Sequence, residues 1–137
     1  MSPSAPLSHR VESRELDRAR LLSKVRGHAV AVSSVRDASP SLIASAEVLG
    51  ESCEKPCPIC HRKTLKLTRW IHSKWLGEKS GTARSVREIQ KVLEDFAVAH
   101  AGSTAGEPDA ELSIHTVEVC LHCKWNFLVR HEVVTPG

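Results

Sequence analysis

Aromatic residues are scarce in this chain of 137 residues, which contains three Trp, two Phe and no Tyr. Aromatic side chains supply much of the buried area of small domains, so a core that rests mainly on aliphatic side chains is thin. Long apolar runs are lacking as well, because no segment approaches the roughly 20 apolar residues that cross a bilayer. The opening residues show neither the charged start nor the apolar stretch of a secretory signal. We therefore expect a cytoplasmic protein.

A strong net charge is also absent. The formal charge is +3, which is too weak to indicate a nucleic-acid-binding protein by itself. The charge is unevenly distributed, since residues 1–36 hold seven Lys or Arg and only three acidic residues. This basic N-terminal part is a candidate for electrostatic docking to a partner. A solvated helix face produces the same pattern, so both interpretations stay open.

The five cysteines include two pairs with the same spacing, Cys57-Pro58-Ile59-Cys60 and Cys120-Leu121-His122-Cys123. In a reducing compartment such pairs indicate metal binding rather than disulfides. A C-x-x-C turn lets two thiolates reach one ion at about 2.3 Å. We predict one structural Zn²⁺ held by Cys57, Cys60, Cys120 and Cys123. An iron centre and a pair of redox-active thiols are the alternatives. A structural zinc contributes on the order of 10 kcal/mol, so folding and metal binding should be coupled.

Two features near the first pair allow other interpretations. The run Cys57 to His61 matches C-x-x-C-H, the attachment sequence of c-type haem, but haem would require export and would leave the second cysteine pair unexplained. Cys53 is an odd thiol four residues before Cys57. It could displace a ligand or trap it as a disulfide, whereas a free, half-buried thiol is the plainer interpretation.

The hydrophobic pattern predicts an α+β fold. We expect residues 1–12 to form a flexible arm and residues 13–50 a helical segment with two short helices. The second of these begins with Ser39 as N-cap and Pro40 at the first helical position, and it ends at Gly50.

Residues 51–134 are predicted to form a zinc-ribbon domain with a three-stranded antiparallel sheet. One strand follows the first cysteine pair, and two strands flank the second pair as a hairpin. One inserted helix, residues 85–100, covers the sheet. Its start is marked by a capping box of Ser85 and Glu88. A loop at 101–110 follows, with the Gly- and Ser-rich composition of a flexible connection.

The pattern contains no constellation of nucleophile and base, so no catalytic residue is predicted. Basic and aromatic residues suggest a partner surface instead. Trp70 and Trp75 alternate with basic side chains, a pattern that could stack bases above a phosphate track. Tryptophan at the edge of a core or as a protein-binding anchor explains them too. The candidate partner-binding residues are Arg14, Arg18, Trp70, Lys74, Trp75 and Arg84.

Several motifs together resemble a small family of actinobacterial zinc-ribbon proteins that is catalogued as a domain of unknown function. The resemblance covers roughly residues 12–134. The family implies an intracellular zinc-ribbon protein but no activity, and the chain departs from it at Cys53 and at 102–108. The motifs that carry it are Asp37-Ala38-Ser39-Pro40, Cys57-Pro58-Ile59-Cys60, Leu76-Gly77, Ser80-Gly81-Thr82-Ala83-Arg84-Ser85 and Val117-Glu118-Val119-Cys120-x-x-Cys123-x-Trp125-Asn126.

We therefore expect a non-enzymatic zinc-ribbon accessory protein that binds the transcription machinery, with RNA polymerase as the first partner to test. Zinc ribbons are common in that machinery, which is an analogy at the level of the fold. Two alternatives remain open. One is direct binding of RNA or DNA, and the other is a thiol redox sensor that uses Cys53.

Overall fold

The computed structural model describes residues 7–104 and 106–137. They form three α-helices, two short 3-10 helices and six strands. In chain order these are β1 (Leu7–Ser13), α1 (Glu15–Arg26), a 3-10 helix (Val32–Val35), α2 (Pro40–Leu49), β2 (Glu51–Ser52), β3 (Leu65–His72), a second 3-10 helix (Lys74–Lys79), β4 (Thr82–Arg84), α3 (Val86–Ala99), β5 (Leu112–Cys120) and β6 (Asn126–Pro136).

The strands form one antiparallel sheet in the order β1-β6-β5-β3-β2, and β4 pairs with β3 beyond that path. The centre of the sheet is the pairing of β5 with β3 on one side and with β6 on the other. The predicted hairpin across the second cysteine pair is therefore confirmed. A register irregularity between Thr116 and Val117 interrupts the β5–β6 ladder.

The sheet has six strands, so the predicted three-stranded sheet was too small. Residues 7–13, expected as part of a flexible arm, instead pair with β6 along seven registered positions. Their side chains are mostly exposed, and the strand is held by backbone hydrogen bonds to β6. Because neither face of the strand is buried, the sequence shows no alternation of apolar and polar residues. β2 and β4 have two and three residues, too few to show a period. The rest of the predicted arm, residues 1–6, lies outside the described residues.

Local sequence signals set the helix starts. In α2 the Leu42 N–H donates to the Ser39 hydroxyl at 3.2 Å, and Pro40 occupies the first turn as predicted. In α3 the capping box is complete, because the Ser85 N–H donates to Glu88 Oε1 at 3.0 Å and the Glu88 N–H donates to Ser85 Oγ at 3.2 Å. Each bond gives a partner to a backbone N–H group that has none within the helix at its first turn.

The helices cover both faces of the sheet. Leu112 and Ile114 pack with residues of α3. Cys120 lies an even number of residues further along β5 and therefore on the same face, and it packs with Leu22 of α1. The opposite face carries Val119, which packs against Ala46 of α2. Helices α1 and α3 therefore lie on one face, at opposite ends of β5, and α2 lies on the other. None of the helices in the described ranges is long and apolar enough to span a membrane.

Candidate metal centre

The two cysteine pairs meet because of the register between β3 and β5. The first pair lies in the loop before β3, and the second begins at Cys120, the last residue of β5. Leu65 at the start of β3 stands opposite Cys120. The loops are also joined directly, since the Leu121 N–H donates to the Thr64 carbonyl at 3.1 Å. Antiparallel pairing thus brings together two turns that are some 60 residues apart in the chain.

The four sulfur atoms predicted as ligands form one cluster. Cys57 and Cys123 Sγ are 3.6 Å apart, Cys60 and Cys120 Sγ are also 3.6 Å apart, and all four lie within 4.8 Å of one another. A tetrahedral site with Zn–S bonds of about 2.3 Å has sulfur–sulfur edges of about 3.8 Å. A disulfide would bring two sulfurs to about 2.05 Å, and all four cysteines are free thiols. The arrangement can hold one metal ion.

The two cysteine turns have the same backbone. In each, the N–H of the residue after the second cysteine donates to the carbonyl of the first cysteine, from His61 to Cys57 at 2.9 Å and from Lys124 to Cys120 at 3.1 Å. His61 and Lys124 both adopt positive φ, 64° and 71°. This is the left-handed region that favours glycine. The His61 that completes the haem-like motif is thus an exposed turn residue.

Hydrogen bonds and burial set the pKa values of the thiols in opposite directions. Burial raises the pKa of Cys57 to about 12, and burial also raises the pKa of Cys123. Burial opposes ionisation of Cys120 as well, but bonds from the Cys123 N–H and from the Thr64 hydroxyl, 3.0 Å from Cys120 Sγ, help to lower its pKa to about 7. The hydrogen bonds at Cys120 thus favour its thiolate, the form that binds a metal ion.

The cluster is part of a hydrophobic core, in which three of its four cysteines are buried and Cys60 is partly exposed. Cys57 and Cys120 are fully buried, and Trp125, also fully buried, packs beside them with Leu22 and Val35. Four protein ligands fill a tetrahedral site, whereas catalytic zinc keeps a position for water or substrate. A site filled by these four thiolates would leave no such position.

Two neighbours of the centre were not predicted. Thr64 contacts Cys120 Sγ, although its position four residues after Cys60 gave no signal. Glu118 accepts two hydrogen bonds of 2.8 Å from Arg18 of α1, and this ion pair is almost buried. The hydrogen bonding that Arg18 donates to Glu118 is the main cause that raises the pKa of Arg18. The Arg18 guanidinium also lies 6.0 Å from the Trp125 ring. The pair thus ties α1 to the sheet beside the cysteines.

The six predicted partner-binding residues do not form one surface. Arg18 is engaged with Glu118, and Arg14 lies over the Phe127 ring at 6.0 Å. Trp75 packs edge-on against Phe96 and His100. Arg14 and Arg18 lie near the cysteine cluster, and Trp75 and Arg84 line a groove beside α3. Lys74 is exposed in the second 3-10 helix. Trp70 lies on the sheet face opposite to the one that α1 and α3 cover.

The fold and the site define an α+β protein with a six-stranded antiparallel sheet and, at one end, a cluster of four cysteines that could hold one metal ion. The chain belongs to DUF5318, a family of unknown function, whose model matches residues 8–136. This match confirms the resemblance found in the sequence.

Mycobacterial relatives cover most of the chain. It is 34% identical over 119 residues to "Uncharacterized protein Rv0049" of Mycobacterium tuberculosis strain H37Rv, an alignment that spans 87% of this chain and 77% of the relative. The same values hold for "Uncharacterized protein Mb0050" of Mycobacterium bovis. No solved structure matches the chain with statistical significance.

The left-handed turn residues give a first prediction. His61→Gly should stabilise the metal-loaded protein by about 0.5–1 kcal/mol, because glycine adopts positive φ without the steric penalty of a Cβ atom. Thermal unfolding at a fixed zinc concentration measures the effect. Arg62→Gly is the matched control, since the neighbouring Arg62 is not among the residues at positive φ, and it should lose stability. A loss of stability in both variants would contradict the strain at His61.

The Thr64 hydroxyl gives a second prediction. Thr64→Val removes a hydrogen bond to Cys120 and should weaken zinc binding about tenfold, the scale on which residues that support metal ligands act. Competition with a chromophoric chelator at neutral pH measures the affinity.

Thr68→Val provides the control for that substitution. Thr68 is fully buried, its hydroxyl has no hydrogen-bond partner, and it lies on the sheet face opposite to the cysteines. The variant should keep its zinc affinity and gain stability. Equal affinity in the two variants would show that the Thr64 hydroxyl does not support Cys120.

Proposed function

We propose that the four cysteines hold one structural Zn²⁺ and that the protein is a non-enzymatic zinc-ribbon accessory protein of the transcription machinery. The donor set supports zinc, because four soft thiolates in a tetrahedron select zinc or iron among the common metals. The burial of the cluster and its lack of an open ligand position support a structural role. On this proposal the ion holds the end of the sheet together and contributes no chemistry.

A groove beside α3 supplies the surface for a partner. It has a volume of about 680 Å³. Trp75, Leu76 and Val92 form its apolar part, and four basic and two acidic residues line the rest: Lys79, Arg84, Arg87, Lys91, Glu88 and Asp95. Tryptophan and arginine beside an apolar floor are typical of the centres of protein interfaces.

The charges in the groove favour an acidic partner segment. Glu88 pairs with Arg84 at 3.5 Å, and Asp95 pairs with Lys91 at 3.1 Å. Among the described residues, Lys79 and Arg87 have no carboxylate within ion-pair distance. Their charges are therefore available for an acidic side chain of a bound protein. We infer that this surface contacts RNA polymerase, for which the common use of zinc ribbons in transcription is the supporting analogy.

Direct binding of RNA or DNA would use the same basic residues. The two cases differ in their response to salt, because each phosphate contact releases counterions and steepens the fall of affinity with ionic strength. A groove with an apolar floor and internal acidic residues favours the protein partner.

Metal removal tests the first half of the proposal. The purified chain should contain one zinc, and a strong chelator should unfold it, because metal binding and folding are coupled. Cys60→Ser and Cys123→Ser should lose the metal. Cys53→Ser should keep it, since Cys53 is not one of the four clustered ligands. Elemental analysis and far-UV circular dichroism on the same samples measure both effects. Iron in place of zinc, or a fold that survives chelation, would refute this part.

Capture of polymerase tests the second half. A tagged chain should recover RNA polymerase subunits from native extract and bind the purified enzyme directly. The double variant Lys79→Glu with Arg87→Glu should reduce that binding at least tenfold, because it places like charges against an acidic segment. Lys24→Glu with Lys63→Glu carries the same charge change outside the groove and should bind normally. Failure to bind the purified enzyme, or equal binding of both variants, would refute the groove as the contact surface.

A further inference from the structure

A second cationic site lies beside α1, on the face of the sheet that α1 and α3 share. Helix α1 covers the Cys120 end of β5, and α3 covers the Leu112 end. A cavity of about 300 Å³ lies beside α1, which contributes Glu15 and Arg18 to its lining, and residues of the sheet form its floor. Thr116 of β5 lies on this floor, in the same alternating row as Leu112 and Ile114 but with a hydroxyl in place of an apolar side chain.

The strand register places two arginines on either side of that hydroxyl. Arg69 of β3 stands opposite Thr116, and Thr116 stands opposite Arg130 of β6. Residues directly opposite one another share a face and lie about 4.5–5.5 Å apart. Both arginines line the cavity, together with Lys55 at its rim. Thr116 is only 7% exposed, so the floor of the cavity is buried while its walls are charged.

Basic side chains outnumber acidic ones in the lining of the cavity. Four basic residues and two acidic residues line it, namely Arg18, Lys55, Arg69, Arg130, Glu15 and Glu118. Glu118 is already neutralised by its two bonds of 2.8 Å to Arg18. The remaining arginines make only longer contacts, from Arg69 to the exposed Glu51 and from Arg130 to Glu132, each at 3.6 Å. Glu132 is shared with His9.

The Arg69 side chain is 23% exposed and the Arg130 side chain is 51% exposed, so both guanidinium groups are accessible to a ligand. Their ion-pair contacts at 3.6 Å are longer than the two bonds of 2.8 Å between Arg18 and Glu118. Each guanidinium offers five N–H donors in a planar fork that matches the oxygen atoms of phosphate and carboxylate. The cavity volume is at the lower end of the range for small-molecule sites. It has room for an oxyanion and a few further heavy atoms.

We propose that this cavity is a binding site for a small oxyanionic ligand, held by Arg69 and Arg130 with the Thr116 hydroxyl between them. The ligand is a phosphate or carboxylate group on a small molecule. The site is distinct from the metal centre and from the groove beside α3, so it does not rest on the proposed partner or on the identity of the metal.

The binding test uses the full metal-loaded chain with no free zinc, at low ionic strength. Three probes are titrated by calorimetry: inorganic phosphate, ribose 5-phosphate and succinate. Sodium chloride at matched ionic strength is the control for screening. Saturable binding of at least one probe, with amide shifts in the NMR spectrum centred on Thr116, supports the site. Tighter binding of the phosphate monoester than of succinate assigns the ligand to the phosphorylated class, and the reverse order assigns it to carboxylates.

Substitutions test the residues. Arg69→Gln and Arg130→Gln should each weaken binding about tenfold, because each removes charged hydrogen bonds. Arg20→Gln is the matched control, since Arg20 is an exposed residue of α1 that does not line the cavity, and it should bind like the wild type. Thr116→Val keeps all charges and serves as a second variant if an arginine variant misfolds; it should also weaken binding.

Three results would overturn the proposal. The first is the absence of saturable binding of all three probes to the wild type. The second is an effect that sodium chloride reproduces, which would show general screening. The third is equal weakening in Arg20→Gln, which would show attraction to the net charge of the protein rather than to the cavity.

Discussion

The pairing of β3 with β5 is the constraint on which the rest of the structure depends. Its register sets Leu65 against Cys120 and so brings two cysteine turns to one point. A metal ion at that point would close a long loop of chain, which is the situation in which a crosslink removes most entropy from the unfolded state. The buried Trp125 and helix α1 then pack on the closed end. The metal centre and the hydrophobic core are therefore one unit at this end of the molecule.

The sequence predicted those parts of the fold that depend on residues close together in the chain. The cysteine turns, the Ser39 cap and the Ser85–Glu88 capping box each depend on residues within four positions of one another. The strands β1, β2 and β4 were missed. β1 is held by backbone hydrogen bonds to β6, near the other end of the chain, whereas β2 and β4 are short strands that pair with the neighbouring β3. Their side chains are exposed or the strands are very short, so neither burial nor periodicity marks them.

The position of Arg18 also could not be predicted, because its partner is distant in the sequence. Its charge contributed to the basic excess of residues 1–36 and suggested a partner surface. In the structure its guanidinium is bound to Glu118, a residue 100 positions away, and lies over Trp125. A count of charges along the chain cannot reveal such a pairing, because the partner is chosen by the sheet register and the packing of α1. The cavity beside Arg18 could not be predicted for the same reason. It depends on the sheet register, which places Arg69, Thr116 and Arg130 opposite one another.

The two cationic sites meet at β3. Arg69, which lines the cavity, stands opposite Arg84, which lines the groove. Like charges directly opposite one another on a sheet are destabilising. Each guanidinium has its own carboxylate, Glu51 for Arg69 at 3.6 Å and Glu88 for Arg84 at 3.5 Å. Ion pairs of this length between partly exposed side chains offset the repulsion only weakly. A metal ion bound by the cysteines at the other end of β3 would help to hold this strand in place against the repulsion between Arg69 and Arg84 of β4. The cysteine cluster and the surfaces available for binding are thus connected through β3.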